Sequence, residues 1–267
     1  MTRARESLDS ADGLGSGSTA AIAGYVAALF VAELLLAQGG FIVGGISHLL
    51  LLLTLIAHYL TSGYAAYRAM LLALTLPSIT RLVSLTVTMA DIHQLLWLVM
   101  IGVPTFLALF LVLRVVPTKL GSLLRVPSDV PMQILVAVSG LVHGLLLYLV
   151  LRPAAPAPIT EPVAAVVVAV PVLLLFVAVL EEVTFRGVIQ SVAFEITGSR
   201  IAAVSIAAVV YACMFVSADS PIVPLAMLAI GLLFGATVAY TGSLWGVMGA
   251  HALMTIGLLI AWPAVLR

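Results

Sequence analysis

Charged side chains are scarce in this chain. They make up 8% of its 267 residues, whereas apolar residues make up 63%. A water-soluble domain carries about 25% charged residues, so this composition excludes a soluble globular fold. The mean hydropathy of +1.28 leads to the same conclusion. The net charge is zero, which leaves no electrostatic basis for binding nucleic acid.

Cysteine is almost absent too. The single cysteine, Cys213, lies within an apolar run, which excludes an internal disulfide and a multi-cysteine metal site. The sequence also lacks a His-Glu-x-x-His helix, in which two histidines on one helix face bind zinc. We therefore expect no cofactor, with zinc as the disfavoured alternative.

Apolar segments of about 20 residues, each long enough to cross a bilayer, account for most of the chain. We predict an all-α, polytopic transmembrane helix bundle of about eight to nine spans. Pro77, Thr80 and Arg81 interrupt the third span, which we expect to be kinked or broken. Small residues at two positions of the eighth span and three positions around the ninth suit close helix packing. The candidate spans are 18–38, 43–62, 66–89, 93–113, 132–151, 163–188, 201–217, 222–240 and 244–264. The small residues are Gly231, Gly235, Gly242, Gly246 and Gly249.

Three regions are predicted from the polar and proline-rich segments. Residues 1–17 are rich in Gly, Ser and charge, which is typical of a disordered cytoplasmic tail. Residues 18–131 form an N-terminal transmembrane region. The four prolines of 152–162 disfavour helix and separate five spans from four. The third region, 132–267, begins at the fifth span and carries the resemblance described below.

The distribution of basic residues predicts the orientation. With the N-terminus inside, eight Lys or Arg residues lie on the cytoplasmic side and two on the other, as the positive-inside rule requires. We therefore expect a multi-pass protein of the cell (cytoplasmic) membrane with a cytoplasmic N-terminus. The eight are Arg3, Arg5, Arg68, Arg114, Lys119, Arg125, Arg186 and Arg200, and the two are Arg152 and Arg267.

Two adjacent glutamates end the charge-free apolar run of the sixth span. Glu182 and Arg186 are four residues apart, so they share a helix face and are expected to pair. Glu181 points about 100° away and has no basic neighbour on its own face, which leaves it free for chemistry. The predicted orientation brings His251, near the start of the ninth span, to a similar depth. The alternatives are charges at a helix end and a histidine that only packs.

These residues resemble the motifs of the CPBP intramembrane proteases, which include the type II CAAX prenyl endopeptidases and the bacteriocin-processing or self-immunity (Abi) proteins. The Glu-Glu-x-x-x-Arg motif is complete at Glu181, Glu182 and Arg186. The His-x-x-x-Asn/Asp motif is half kept, with His251 followed by Thr255. The resemblance covers about residues 132–262.

The resemblance implies an intramembrane endopeptidase that hydrolyses a peptide bond of a protein or peptide near the cytoplasmic face. It implies that Glu181 activates water, that Glu182 and Arg186 hold the helix, and that His251 and Thr255 stabilise the oxyanion. The Phe-x-x-x-His motif departs from the pattern, because its best register places Phe215 at the histidine position. Phenylalanine neither accepts a proton nor holds water, and Asp219 is a possible surrogate.

Two other functions remain open. A catalytically impaired member would act as a membrane binding or immunity protein. A transporter would use intramembrane polar groups such as Glu33 and Arg81 as a path, although the two could simply pair. Prenylated substrates are implied only through distant relatives.

Overall fold

The structure, a computed structural model, describes residues 16–87, 93–151, 162–218 and 220–266. These residues form helices and contain no strand. Within them, seven helical segments are long and apolar enough to cross a membrane, and the shorter apolar helix Arg200–Cys213 accompanies them. The prediction of an all-α polytopic bundle is thus confirmed. The predicted tail and Asp219 lie largely or wholly outside the described residues.

The helices of the first half are α1 (Ser16–Thr61), α2 (Ala65–Ala73), α3 (Thr75–Thr86), α4 (Gln94–Val115), α5 (Leu120–Leu123) and α6 (Val130–Leu151). Those of the second half are α7 (Pro162–Leu173), α8 (Leu180–Glu182), α9 (Gln190–Thr197), α10 (Arg200–Cys213), α11 (Ile222–Thr241), α12 (Trp245–Ile256) and α13 (Trp262–Val265). Three π-helical stretches, Leu174–Val179, Val183–Ile189 and Gly257–Ala261, join α7 to α8, α8 to α9 and α12 to α13.

Helix α1 is a hairpin that contains the first two predicted spans. Gly40 divides it with φ 74° and ψ −173°, a backbone conformation essentially restricted to glycine. The Tyr25 hydroxyl and His58 Nδ1 lie 2.8 Å apart although 33 residues separate them. Such a contact requires the two arms, 16–39 and 41–61, to run antiparallel.

The third predicted span is broken, as expected from its proline. Helix α2 ends at Ala73, and α3 begins at Thr75 after the intervening Leu74. Pro77 explains this position, because a proline ring clashes with the carbonyl four residues earlier, which here belongs to Ala73.

The helical segment that carries Glu181 is longer than predicted. It runs from Pro162 to Thr197 rather than ending near residue 188, and Gly198 ends it in the left-handed conformation with φ 62°. Glu181 is therefore 16 residues from Thr197, the last residue of this segment. The π-helical stretches on either side of α8 went unrecognised, because a π-turn has no signature in an all-apolar sequence.

Close packing of α6 against α12 places His251 inside the bundle. A Cβ atom on Gly144 would lie 2.6 Å from the Met254 carbonyl oxygen, and one on Gly140 would overlap the Ala250 carbonyl. Gly249 contributes from the other side, against Ala137. Gly242 was wrongly predicted to pack: its surroundings are open, and its φ of 65° shows that it caps α11.

Candidate active site

Glu182 is the buried centre of the site, with no exposed surface. Its Oε1 accepts a hydrogen bond from Arg186 Nη1 at 3.1 Å, and His251 Nδ1 lies 2.7 Å from the same oxygen. The predicted pair of Glu182 and Arg186 is present, one helical turn apart. The contact with His251 joins α8 to α12 across 69 residues of sequence.

His251 lies between the two glutamates. A carboxylate only accepts hydrogen bonds, so the close contact with Glu182 places a proton on Nδ1. The other ring nitrogen, Nε2, is then the one that faces Glu181, at 3.7 Å from Oε2. Basic and acidic groups thus alternate along Arg186, Glu182, His251 and Glu181, which offsets part of the cost of burying them.

Glu181 has a different environment from Glu182. Its side chain is 29% exposed, and it lines a cavity of about 270 Å³. Its Oε2 atom, which faces His251, is buried and has no hydrogen-bond partner among the described residues, and the same is true of Glu182 Oε2. One carboxylate is therefore held by basic groups on both sides, while the other reaches a space that a substrate could occupy.

The N-terminal half builds one wall of this cavity, which the sequence did not indicate. Residues of α3 and α4 face residues of the Glu181 helix and of α10 across it. Those from the N-terminal half include Thr80, Arg81, Ser84, Trp97 and Thr105, and those opposite include Glu181, Thr184, Tyr211 and Phe215.

Phe215, at the position of the missing histidine, lines the same cavity as Glu181. Tyr211, one turn earlier on α10, is fully buried; its hydroxyl donates to Met227 Sδ at 3.7 Å and lies near Glu181. The Tyr211 ring packs edge-on against Phe215 and Phe185, with centroids 5.2 and 4.9 Å away. A phenol therefore occupies the neighbourhood in which the family pattern provides an imidazole. The sequence showed Tyr211 in the motif but gave no reason to assign it a role.

Thr255 does not supply the donor expected of it. Its hydroxyl donates to the His251 carbonyl oxygen at 3.0 Å, a bond within its own helix. This bond uses the hydroxyl proton, as is common for threonine inside an apolar helix. The polar groups near the Glu181 carboxylate are instead the His251 ring, with Nε2 3.7 Å from Oε2, and the Tyr211 hydroxyl, which donates to Met227 Sδ.

Glu33 and Arg81 form the predicted pair. Arg81 donates from Nε to Oε1 at 2.7 Å and from Nη2 to Oε2 at 2.9 Å. His48 Nε2 lies 3.4 Å from the same carboxylate, and the Ser217 hydroxyl donates to it at 2.9 Å. Because the two charges neutralise each other and Glu33 is fully buried, the cluster joins helices and does not form an open polar path.

A catalytic zinc, the disfavoured alternative of the sequence analysis, does not fit the available donors. No group of three His, Cys, Asp or Glu side chains in the described part of the chain is placed to hold a metal ion. His251 Nε2 and the Glu181 carboxylate offer two donors, whereas a catalytic zinc takes three from protein. Glu182 is already bound by Arg186 and by His251 Nδ1.

Comparison with known proteins gives a family match for the part of the chain that contains this site. Residues 163–257 match the family described as Rce1-like, type II CAAX prenyl endopeptidase. The match confirms the predicted resemblance to the CPBP proteases and contains Glu181, Glu182, Arg186, His251 and Thr255. No curated protein matches the chain, and no solved structure does.

Proposed function

We propose, from a segment that matches a family of CAAX-type intramembrane proteases, that this protein is an intramembrane endopeptidase with Glu181 as its general base. The observation that carries the proposal is the unequal environment of the two glutamates. Glu182 is fully buried and its Oε1 contacts both Arg186 and His251, whereas the Glu181 side chain is 29% exposed and lines a cavity. General-base catalysis needs a carboxylate within one hydrogen bond of the attacking water.

The proposed reaction begins with a water molecule beside Glu181. The carboxylate takes a proton from this water as the water oxygen attacks the peptide carbonyl carbon. Negative charge then develops on the former carbonyl oxygen, and donors aimed at it stabilise the transition state. The groups proposed as these donors are the Tyr211 hydroxyl and the His251 ring. The C–N bond breaks as the proton held by Glu181 passes to the leaving amine, and these steps need no metal ion.

The substrate is proposed to be a peptide or protein segment that enters the cavity from the bilayer or from the cytoplasmic face. The part of the cavity wall that comes from α4 is mostly apolar, with Trp97, Leu98 and Ile101 among its residues. The proposed location is the cell membrane with a cytoplasmic N-terminus, which follows from the distribution of arginine and lysine.

Phe215 favours a second candidate function, a catalytically impaired member that acts as a membrane binding or immunity protein. A phenylalanine beside the general base cannot hold the attacking water. In this alternative the cavity would still bind a peptide, but no bond would break.

The decisive experiment uses the purified full-length protein in lipid nanodiscs and a mixed library of acyl-anchored peptides. Mass spectrometry detects new peptide termini after incubation with wild type, Glu181→Gln and Glu195→Gln. Glu195 is a matched control, because it is a half-exposed carboxylate on the same helical segment, paired with Lys119. We expect new termini from wild type and Glu195→Gln but not from Glu181→Gln.

Two other outcomes of this experiment would count against the proposal. Loss of a general base costs about 10²–10⁴ in rate, so a folded Glu181→Gln variant that keeps more than about a tenth of the wild-type rate would exclude Glu181 as the base. If the wild-type protein binds peptides but cleaves none of them, the result would favour the catalytically impaired alternative.

A further inference from the structure

A second cavity, of about 280 Å³, lies at the end of the bundle where α9 ends and α10 begins. Helix α5 and the end of α11 complete its wall. The ends of membrane-spanning helices lie near the lipid headgroups, so this cavity is placed at that depth. Its lining residues are Lys119, Ser122, Leu123, Arg186, Gln190, Ser191, Phe194, Arg200, Ala203, Val238, Ala239 and Gly242.

The charged side chains that line this cavity are all positive. Three of the twelve lining residues are basic and none is acidic, in a chain with only 8% charged residues. Lys119 pairs with Glu195 at 2.8 Å, but both side chains are about half exposed, so this pair is weak and open to exchange. Arg200 is exposed and has no ion-pair partner among the described residues.

Arg186 belongs to this cavity and to the candidate active site. Its side chain is 1% exposed, and its Nη1 donates to Glu182. Its Nη2 is buried without a hydrogen-bond partner among the described residues. A buried cationic donor of this kind is costly to leave unpaired. The residues that line the cavity therefore include a guanidinium with one unpaired nitrogen, Nη2, and two further cations, Lys119 and Arg200.

We propose that this cavity binds a phosphate group, supplied either by the headgroup of an anionic lipid or by a soluble phosphate ester. Basic pockets between membrane helices at the headgroup level bind such groups. Arg200 is the first residue of a 14-residue helix, whose N-terminal amides add positive partial charge. The bound phosphate would lie next to Arg186 and so next to the residues that hold His251. This inference does not depend on peptidase activity.

The test measures lipid binding to the full-length protein by native mass spectrometry from detergent micelles. The probes are dioleoylphosphatidylglycerol and dioleoylglycerol, which share acyl chains and differ in the phosphate. We expect the first to bind and the second not to bind. Lys119→Gln and Arg200→Gln should each weaken binding roughly fivefold, as loss of one cation near a phosphate predicts. The matched control, Arg125→Gln, removes an exposed charge that does not line the cavity and should leave binding unchanged.

Competition by glycerol 3-phosphate distinguishes the two sources. Displacement of the lipid at equal concentrations would identify a soluble phosphate ester as the ligand, and failure to displace would identify the lipid. The proposal is overturned if dioleoylglycerol binds as well as the phospholipid, or if Arg200→Gln binds like Arg125→Gln. Arg200 makes no ion pair within the described residues, so we expect Arg200→Gln to fold. This variant therefore tests the proposal even if Lys119→Gln unfolds.

Discussion

His251 Nδ1 lies 2.7 Å from Glu182 Oε1, while Nε2 of the same ring lies 3.7 Å from Glu181 Oε2. A single imidazole thus connects two adjacent carboxylates of unequal burial. The closer contact fixes the ring and leaves the second nitrogen facing Glu181, which lines the cavity. This arrangement assigns a structural role to one glutamate and a chemical role to the other, and substitutions can separate the two roles.

Glutamine substitutions of the two glutamates should differ in their effect on stability. Glu182→Gln leaves the buried Arg186 guanidinium without its counter-charge, so we expect a loss of about 3–5 kcal/mol in the free energy of unfolding. Glu181→Gln changes a partly exposed group and should cost less than about 1 kcal/mol. Unfolding in mixed micelles, followed by tryptophan fluorescence, measures both values. Equal losses for the two variants would contradict the assigned roles.

Tyr211→Phe tests the hydroxyl beside Glu181. The substitution keeps the ring contacts with Phe185 and Phe215 and removes one polar atom. If the hydroxyl stabilises the oxyanion, kcat should fall about 10²-fold with KM little changed. A control substitution, Tyr240→Phe, removes a hydroxyl from an exposed tyrosine and should have no effect. Unchanged kcat in Tyr211→Phe would remove the tyrosine from the proposed mechanism and leave the donor role to His251.

Phe215→His introduces an imidazole into the cavity that Glu181 lines. We expect a gain of about 10²-fold or more in kcat/KM, because the new group can hold the attacking water and transfer protons. The same substitution in a Glu181→Gln background should give no gain. If Phe215→His has no effect in the folded protein, the phenylalanine is not what limits the rate.

The sequence predicted contacts between residues on one helix better than contacts between different helices. The spacing of Glu182 and Arg186 predicted their contact, because residues four apart share a helix face whatever the tertiary fold. The predicted topology placed His251 at a depth similar to that of the glutamates. It did not indicate which of the two carboxylates the His251 ring would contact. That choice depends on side-chain direction around π-helical turns, which a uniformly apolar sequence does not encode.

The cavity wall from α3 and α4 was not predicted from the sequence. Arg81 was expected either to pair with Glu33 or to form a polar path, and it does pair. Its place in the wall opposite Glu181 depends on the packing of helices far apart in sequence. A membrane helix that is apolar on all sides does not reveal which of its faces meets a neighbour, so this contact could not be predicted.

Gly40→Ala should destabilise the hairpin of α1. The φ of 74° and ψ of −173° are accessible to glycine but strained for alanine, at about 1–3 kcal/mol. Nothing lies within 4 Å of a Cβ at this position, so the cost would come from the backbone and not from a clash. Gly24→Ala, within the first arm and also in open space, is the control and should be neutral or slightly stabilising. Unfolding free energies in mixed micelles compare the two, and equal values would mean that the turn is not strained.

A double-mutant cycle on Glu33 and Arg81 should show strong coupling. Arg81→Met leaves the fully buried Glu33 without its bidentate partner, so we expect a cost of about 3–5 kcal/mol in unfolding free energy. Glu33→Gln alone should also destabilise the protein, because Arg81 then loses its counter-charge. The double variant should be more stable than the sum of the single effects predicts, by about 0.5–3 kcal/mol. Additive effects would show that the pair does not hold α1 against the rest of the bundle, and the Ser217 contact would then carry that junction.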